Sequence, residues 1–399
     1  MKVLCVLGKY QYGDASRGIG TEYAAFLRAI ERLGHNVMHF DSWDRSCFSD
    51  FKELNQALLD TVERERPDVM LAVQMHYEIW LETLEIIKHR GDVATICWTT
   101  DDSWKYHEFS RFVGNYYHGI TTTYPNVVPQ YIRDGIPNVL LTQWAASADS
   151  MQEPIPAHSC RYQISFVGAN HGDRSARIAK LQSARLDISC FGHGWPKGSV
   201  DSSEIPNIMR NSVISINFAN SRGGFNQIKA RNFEVPGAGG FLLAEQAEGL
   251  RDYYTDGKEI VVFENMDDLI RKARYYLTHP AERDAIAMAG NQRTLKEHTY
   301  DQRMKDVLDF AVASHDRWIK SGPHKTATYS IDGAIEKHRT TFFLKIAKVV
   351  FMIPCCLIWG RKRGIRAARR ILFELSWRFT GKTTYTASGW PGRLFYKES

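Results

Sequence analysis

Residues 217–245 read NFANSRGGFNQIKARNFEVPGAGGFLLAE, and the alternation inside this stretch decides the fold. An apolar strand gives way to a glycine loop. A short helix carrying Lys229, Arg231 and Glu234 follows, then a glycine-rich turn and a second apolar strand over 241–244. Backbone N–H groups in such a loop, and a helix N-terminus, suit a bound phosphate. Fixed cations neutralise it, and a carboxylate accepts hydrogen bonds from a ribose diol. The pattern points to a nucleotide diphosphate. Lys229 and Arg231 stand five and three residues before Glu234, so a helical turn gathers all three.

The same alternation runs outward in both directions. Upstream, apolar runs predict strands over 2–7, 36–40, 68–74 and 94–99, with helices over 21–33, 50–65 and 78–90 between them. Shorter strands follow at 119–123 and 139–144. Residues 145–161 are rich in Ala, Ser and Pro, lack a period, and read as a linker. Strands then resume at 162–167, 186–191, 213–218 and 259–263, with helices over 266–277 and 281–298. Repeated strand–helix alternation argues for an α/β chain with two Rossmann-like domains, 1–150 and 151–298, each a parallel sheet covered by helices. An amphipathic helix over 299–320 and a basic tail, 321–399, complete the chain.

In open α/β sheets, ligands bind beyond the carboxyl ends of the strands, and the candidate residues lie there. Gly18 and Gly20 follow the first strand, where absent side chains let backbone approach a ligand. A dinucleotide fingerprint needs a third glycine where Tyr23 stands, which disfavours NAD. Asp101 and Asp102 follow the strand over 94–99. Paired aspartates suit a general base, a Mg²⁺ ion or the cap of the next helix. His76, after the strand over 68–74, is a further base candidate. His118 and His193 are weaker ones. In the second half, Gly168 and Arg174 flank the loop GANHGDR, and Asn226 and Gly224 sit in the loop before Glu234. GxSxG, HExxH and Walker patterns are absent, which removes the usual support for hydrolase and P-loop readings.

This combination resembles the sugar-nucleotide site of GT-B glycosyltransferases, in particular the spore-maturation CgeB-like group. Many GT-B members carry two glutamates eight residues apart, the second followed after five residues by glycine and a strand. Glu234 fits the second, with Gly239 and the strand over 241–244 behind it; Asn226 occupies the position of the first. The resemblance spans roughly residues 1–320. It implies two domains facing a cleft, an acceptor bound by the first and a nucleotide sugar by the second, and a final helix, 299–320, crossing back. It further implies that Glu234 holds the ribose and that Lys229, Arg231 and Arg174 stabilise the diphosphate. The Gly223–Gly224 loop would sit near the sugar. No cofactor and no metal are implied, the nucleotide sugar being a substrate. A sugar-nucleotide epimerase and a non-catalytic, membrane-bound assembly protein remain as alternatives.

Charge divides the chain unevenly. Of its 399 residues, 51 are Lys or Arg and 45 Asp or Glu. Residues 321–399 hold 15 of the former and 4 of the latter, a balance of +11 against −5 for the rest. The stretch 341–359 is apolar, but its longest uncharged run is the 11 residues 349–359. That is short of the roughly 20 needed to cross a bilayer. The sequence GRKRGIRAARRILFELSWRF follows, with Ile365, Ile371, Leu372, Leu375 and Trp377 as its apolar side. A basic helix of this kind suits an anionic membrane interface. The expected partner of residues 341–378 is therefore an anionic membrane surface, with no nucleic acid. Seven scattered cysteines form no CxxC pair and fit a reducing cytoplasm. The expected place is peripheral, at the inner membrane face, acting on a glycan or lipid-linked acceptor of the cell envelope.

Overall fold

The computed structural model describes residues 1–322 except 45, 75–77, 222, 223 and 225, together with 330, 332, 333, 336, 342–380 and 394. The chain divides into two compact units, Met1–Leu141 with Lys305–Ser399, and Thr142–Met304.

Unit 1 is built on strands β1 (Lys2–Val6), β2 (Asn36–Phe40), β3 (Val69–Ala72), β4 (Ala94–Trp98), β5 (Gly119–Thr122) and β6 (Val139–Leu141). They form one parallel sheet in the order β2-β1-β3-β4-β5-β6. Every residue of β3, β4 and β5 is buried. Helices cover both faces of a parallel sheet, which is why β3 reads as an unbroken apolar run and why β4 and β5 carry only small or threonine side chains among their apolar ones. Helix α1 (Thr21–Arg32) buries Ala25, Phe26, Ala29 and Ile30, one stripe at helical spacing. Its N-cap is Gly20. Helix α2 (Phe51–Glu65) is capped by Asp50, whose carboxylate accepts from the Glu53 N–H. Helix α3 (Leu81–Arg90), the short α4 (Asp102–Lys105) and α5 (Arg111–Val113), and α6 (Val128–Arg133) complete the layer.

Unit 2 carries β7 (Tyr162–Val167), β8 (Ile188–Phe191), β9 (Ser212–Asn217), β10 (Leu242–Glu245) and β11 (Val261–Phe263) in the order β11-β10-β9-β7-β8, again parallel. Its helices are α7 (Arg174–Ser183), α8 (Glu204–Arg210), α9 (Arg231–Gly237), α10 (Leu250–Tyr253), α11 (Met266–Thr278) and α12 (Pro280–Glu297). Two apolar clusters, one per sheet face, hold them: one contains Ile178, Phe241 and Ile286, the other Met209, Phe233 and Leu250. Helix α8 has no counterpart in the sequence reading. Residues 145–161, which lack a period, bond into unit 2: Ala146 N–H donates to the His298 carbonyl at 2.9 Å, and Gln152 N–H to Gly237 at 3.1 Å.

Helix α13 (Tyr300–Lys320) passes from the end of unit 2 into unit 1. Within unit 1 it packs on the sheet. A Cβ on Gly119 would lie 2.9 Å from the Phe310 ring. The His118 ring sits edge-on to His315 at 4.8 Å and Trp318 at 4.9 Å. His118 Nδ1 accepts from the Thr95 N–H at 3.0 Å, so this histidine is a packing and hydrogen-bonding element of the fold.

Candidate functional site

Unit 2 gathers cations at the C-terminal ends of β7 and β9. Arg174 opens α7 and is 8% exposed. Its Nη1 donates to the Ala169 carbonyl at 2.7 Å, and its guanidinium lies 5.3 Å from the Phe166 ring centre. Gly168 leaves room for it: a Cβ there would sit 3.4 Å from Nη1. Arg174 Nε is buried with no hydrogen-bond partner among the described residues. Arg231 opens α9, donates from Nε to the Val167 carbonyl at 3.2 Å, and forms an ion pair with Glu234 one turn on. Lys229 reaches the Asn220 carbonyl through Nζ at 2.9 Å.

Lys229 lies before the helix rather than on it. Its N–H donates to Asn232 Oδ1 at 2.9 Å, an oxygen that also accepts from Asn217 Nδ2 at 2.8 Å. That side-chain contact holds the chain out of helical register, and α9 starts at Arg231.

The electrostatics follow from this crowding. Burial, and then the charge of Arg174, lowers the Arg231 guanidinium to about 10. His171 is held below the ordinary histidine value by burial, then by Arg174 and Lys229. His171 lies in the loop GANHGDR but is not singled out by any sequence signal; its neighbourhood appears only when the loops after β7 and β9 come together. Around the cations runs an acidic network. Asp173 accepts from Asn220 Nδ2 at 2.8 Å and pairs with Arg177 at 2.7 Å. Arg177 in turn pairs with Glu245 at 2.6 Å, and Glu245 accepts the Ala219 N–H at 2.8 Å.

The glycine-rich turn after α9 serves packing. Gly239 has φ 78°, and a Cβ there would lie 2.8 Å from the backbone of Glu153 and Pro154; one on Gly240 would lie 2.7 Å from the Met209 carbonyl. Asn291 of α12 donates through Nδ2 to the carbonyls of Pro236 at 2.8 Å and Gly237 at 3.1 Å, satisfying the end of α9. Asn226 Nδ2 donates to the Gln246 carbonyl at 2.9 Å. Gly224 has φ 78° with open space beside it; Gly223 lies outside the described residues. His193 is exposed, and its carbonyl accepts from the Asn170 N–H at 2.8 Å.

In unit 1, Asp102 and Asp101 part company. Asp102 is 2% exposed. Its carboxylate accepts from the hydroxyls of Ser110 at 2.6 Å, Thr99 and Thr122 at 2.7 Å, and Tyr131 at 2.8 Å. Four hydroxyl donors hold both oxygens, so Asp102 ties together the loop after β4, the end of β5 and α6. Burial still raises its carboxyl above the ordinary range, against those hydrogen bonds. Asp101 is half-buried, with φ 57°, and does not cap α4 through its side chain. The charge of Asp101 adds to the rise in the Glu22 carboxyl, which burial causes first and Lys105 opposes. Glu22, in the first turn of α1 directly after Gly20, is a residue the sequence reading passes over. Gly18 has φ 84° and open space, whereas Gly20 is extended with only ordinary contacts. The glycines that sterics demand in this region are Gly8, where a Cβ would lie 2.2 Å from the Trp43 ring, and Gly13, with φ 69° and a Cβ 2.7 Å from the Trp43 carbonyl. His76 lies outside the described residues. Among the described residues no three His, Cys, Asp or Glu side chains gather as a metal site.

Comparison with known proteins agrees with this layout. Residues 174–309 match the family described as glycosyl transferase-like. The sucrose-phosphate synthase of Thermosynechococcus elongatus superposes with a TM-score of 0.56 at 10% identity, over 80% of this chain and 99% of that one. Anabaena Alr3699/HepE, solved in complex with UDP-glucose, gives 0.54 at 11% identity over 77% and 99%. The chain has the GT-B glycosyltransferase fold. A third protein of similar fold, the lipopolysaccharide outer core galactosyltransferase WaaB, gives 0.52 at 11% identity over 79% and 99%. No curated protein matches the chain in sequence. In GT-B terms the cationic locus lies in the second Rossmann-like unit and the aspartates in the first.

Proposed function

We propose that this protein transfers a sugar from a nucleotide-sugar donor to a glycan or lipid-linked acceptor at the cytoplasmic membrane face, without a metal. The observation that carries the reading is the convergence of Arg174, Lys229, Arg231 and His171 at the strand ends of unit 2. Burial first, and then the charge of Arg174, holds the proton affinities of Arg231 and His171 below their ordinary values, a setting that suits a bound polyanion. Arg174 and Arg231 are the counter-charges to the diphosphate, with Lys229 beside them. The Glu234 carboxylate, oriented by Arg231, accepts the ribose hydroxyls. Asn226 and Gly224 border the sugar. The fold and the glycosyl transferase-like segment support transfer, as does the UDP-glucose bound by Alr3699/HepE. Gly168 after β7 and Arg174 at the head of α7 support membership of the CgeB-like group.

In transfer, the anomeric carbon–oxygen bond to the diphosphate breaks and its electron pair stays on the leaving phosphate oxygen. Fixed cations stabilise that charge as it develops. In an inverting displacement the acceptor oxygen bonds to the anomeric carbon and its proton passes to a carboxylate. Glu22 and Asp101 are the groups proposed for that step. Burial raises the Glu22 carboxyl above the ordinary range, a direction that suits a general base.

The test is calorimetry with a panel of nucleotide sugars, followed by product analysis with acceptor. Binding of a nucleotide sugar and of its nucleoside diphosphate, and transfer to acceptor, are expected. Glu22→Gln and Asp101→Asn should leave donor affinity intact; removing the base should slow turnover by roughly 10²–10⁴-fold. Binding without transfer or hydrolysis would favour a non-catalytic assembly role. No binding of any nucleotide sugar would overturn the reading.

A further inference from the structure

The tail helix Phe342–Thr380 is one run broken at Gly360, whose φ is 74°. Beyond the break the chain folds back. Gly364 packs against the first arm so closely that a Cβ would lie 2.4 Å from the Cys356 Cα. Cys355, Phe351 and Met352 of the first arm cluster with Ile365, Ala368 and Leu372 of the second. The result is a helical hairpin. The first arm is apolar apart from Lys345 and Lys348, and the hairpin covers only one side of it. The other side is bare: Phe343 and Leu357 are each 81% exposed, and Ile346, Val350 and Ile353 lie between them at helical spacing.

The window Phe342–Arg361 has a mean hydropathy of 2.0 and is only 6% buried, long and apolar enough to cross a membrane. The 11-residue uncharged run noted in the sequence understates it, because Lys345 and Lys348 interrupt the run without ending the stripe. Crossing is nonetheless not what the hairpin shape suits. The second arm returns along the first and exposes Arg361, Arg363, Arg366 and Arg370, so it cannot follow the first arm into hydrocarbon. Across 342–380 the sequence has nine Lys or Arg and a single acid, Glu374. That charge matches an anionic surface and not a second copy of the same basic hairpin.

We propose that residues 342–375 form a monotopic hairpin that seats on an anionic phospholipid surface, the bare stripe of the first arm among the acyl chains and the arginines of the second at the phosphates. This seat does not depend on the transfer reaction.

The experiment is flotation of the full chain with vesicles of phosphatidylcholine, with and without phosphatidylglycerol as one lipid in three. The chain should float with the anionic vesicles, and high salt should weaken but not abolish that binding. Ile353→Asp with Leu357→Asp, both on the bare side, should abolish flotation while helical content and nucleotide-sugar affinity stay as in the parent. Replacing Arg361, Arg363, Arg366 and Arg370 by Gln should weaken partitioning by roughly 10²-fold or more, since each cation near such a surface contributes about 1 kcal/mol, a factor of about five. Three results would each overturn the proposal: equal flotation by the Asp variant, equal binding to neutral and anionic vesicles, or a lipid-independent dimer that the Asp variant dissolves.

Discussion

Asp102 of unit 1 and Arg174 of unit 2 are both charged and both buried, and they differ in what surrounds them. The Asp102 carboxylate is filled by four hydroxyl donors from its own unit. The Arg174 guanidinium has one carbonyl through Nη1, leaves Nε unpartnered among the described residues, has Asp173 as its opposite charge, and adds to the lowering that burial imposes on Arg231 and His171. A buried charge that the fold satisfies completely is part of the fold. A buried charge that keeps an unpartnered donor can still take a further acceptor. The contrast separates architecture from site without reference to any relative, and it can be attacked from either side.

The largest effect is expected at the satisfied end. Asp102→Ala should destabilise the protein by about 3 kcal/mol, because four buried hydroxyls lose a charged acceptor at once; urea unfolding measures it. Asp102→Asn should cost less. The folded carboxyl is raised above its unfolded value. Its favourable contribution is therefore present below the ordinary aspartate range and is lost as pH rises through the raised value. Relative to Asp102→Asn, the parent should gain stability as pH is lowered toward about 4. Unchanged unfolding in Asp102→Ala would break the comparison.

At the cationic locus, Arg174→Met and Arg231→Met should each weaken binding of a nucleoside diphosphate and its sugar conjugate by about 1.5–3 kcal/mol, roughly 10- to 100-fold. The free nucleoside, which carries no phosphate charge, should bind these variants as it binds the parent. Calorimetry with the three ligands separates a lost phosphate contact from a damaged fold: equal losses for all three would indicate the latter.

The smallest effect is the most specific. His171 should titrate below the ordinary histidine value in the free protein, as burial and its two cationic neighbours require. A bound diphosphate adds negative charge beside it and should raise that value. By linkage, the diphosphate should then bind more tightly as pH falls through this range. Ring-proton chemical shifts followed against pH, with and without nucleoside diphosphate, check it. No shift on binding would place the diphosphate away from the cations.

Much of the fold is legible in the sequence because parallel strands buried on both faces leave continuous apolar runs, as in β3 and β11. The start of α9 is not, because it depends on Asn232 and Asn217 reaching back to hold Lys229 out of the helix. The roles of the two aspartates are hidden for the same kind of reason. Thr99, Ser110, Thr122 and Tyr131 are spread over more than thirty positions and meet only in the folded unit. Likewise, the glycines of the turn after α9 invite a phosphate-loop reading, while the space they save is taken by the backbone of residues 152–154 and 209. Sequence shows which groups are available; it does not show which of them the fold has already used.

The bond from Asn291 to the carbonyls ending α9 has a consequence for how the site breathes. A helix of seven residues has little stability of its own, and α9 is closed by a side chain lying more than fifty positions later. In hydrogen exchange, α9 and the middle of α12 should open together as one cooperative segment. A fragment ending before residue 280 would keep Arg174, Lys229, Arg231 and Glu234 yet lose the clasp that holds two of them in place. Loosening of α12 is then expected to lower the affinity of the cationic locus for a phosphate ligand.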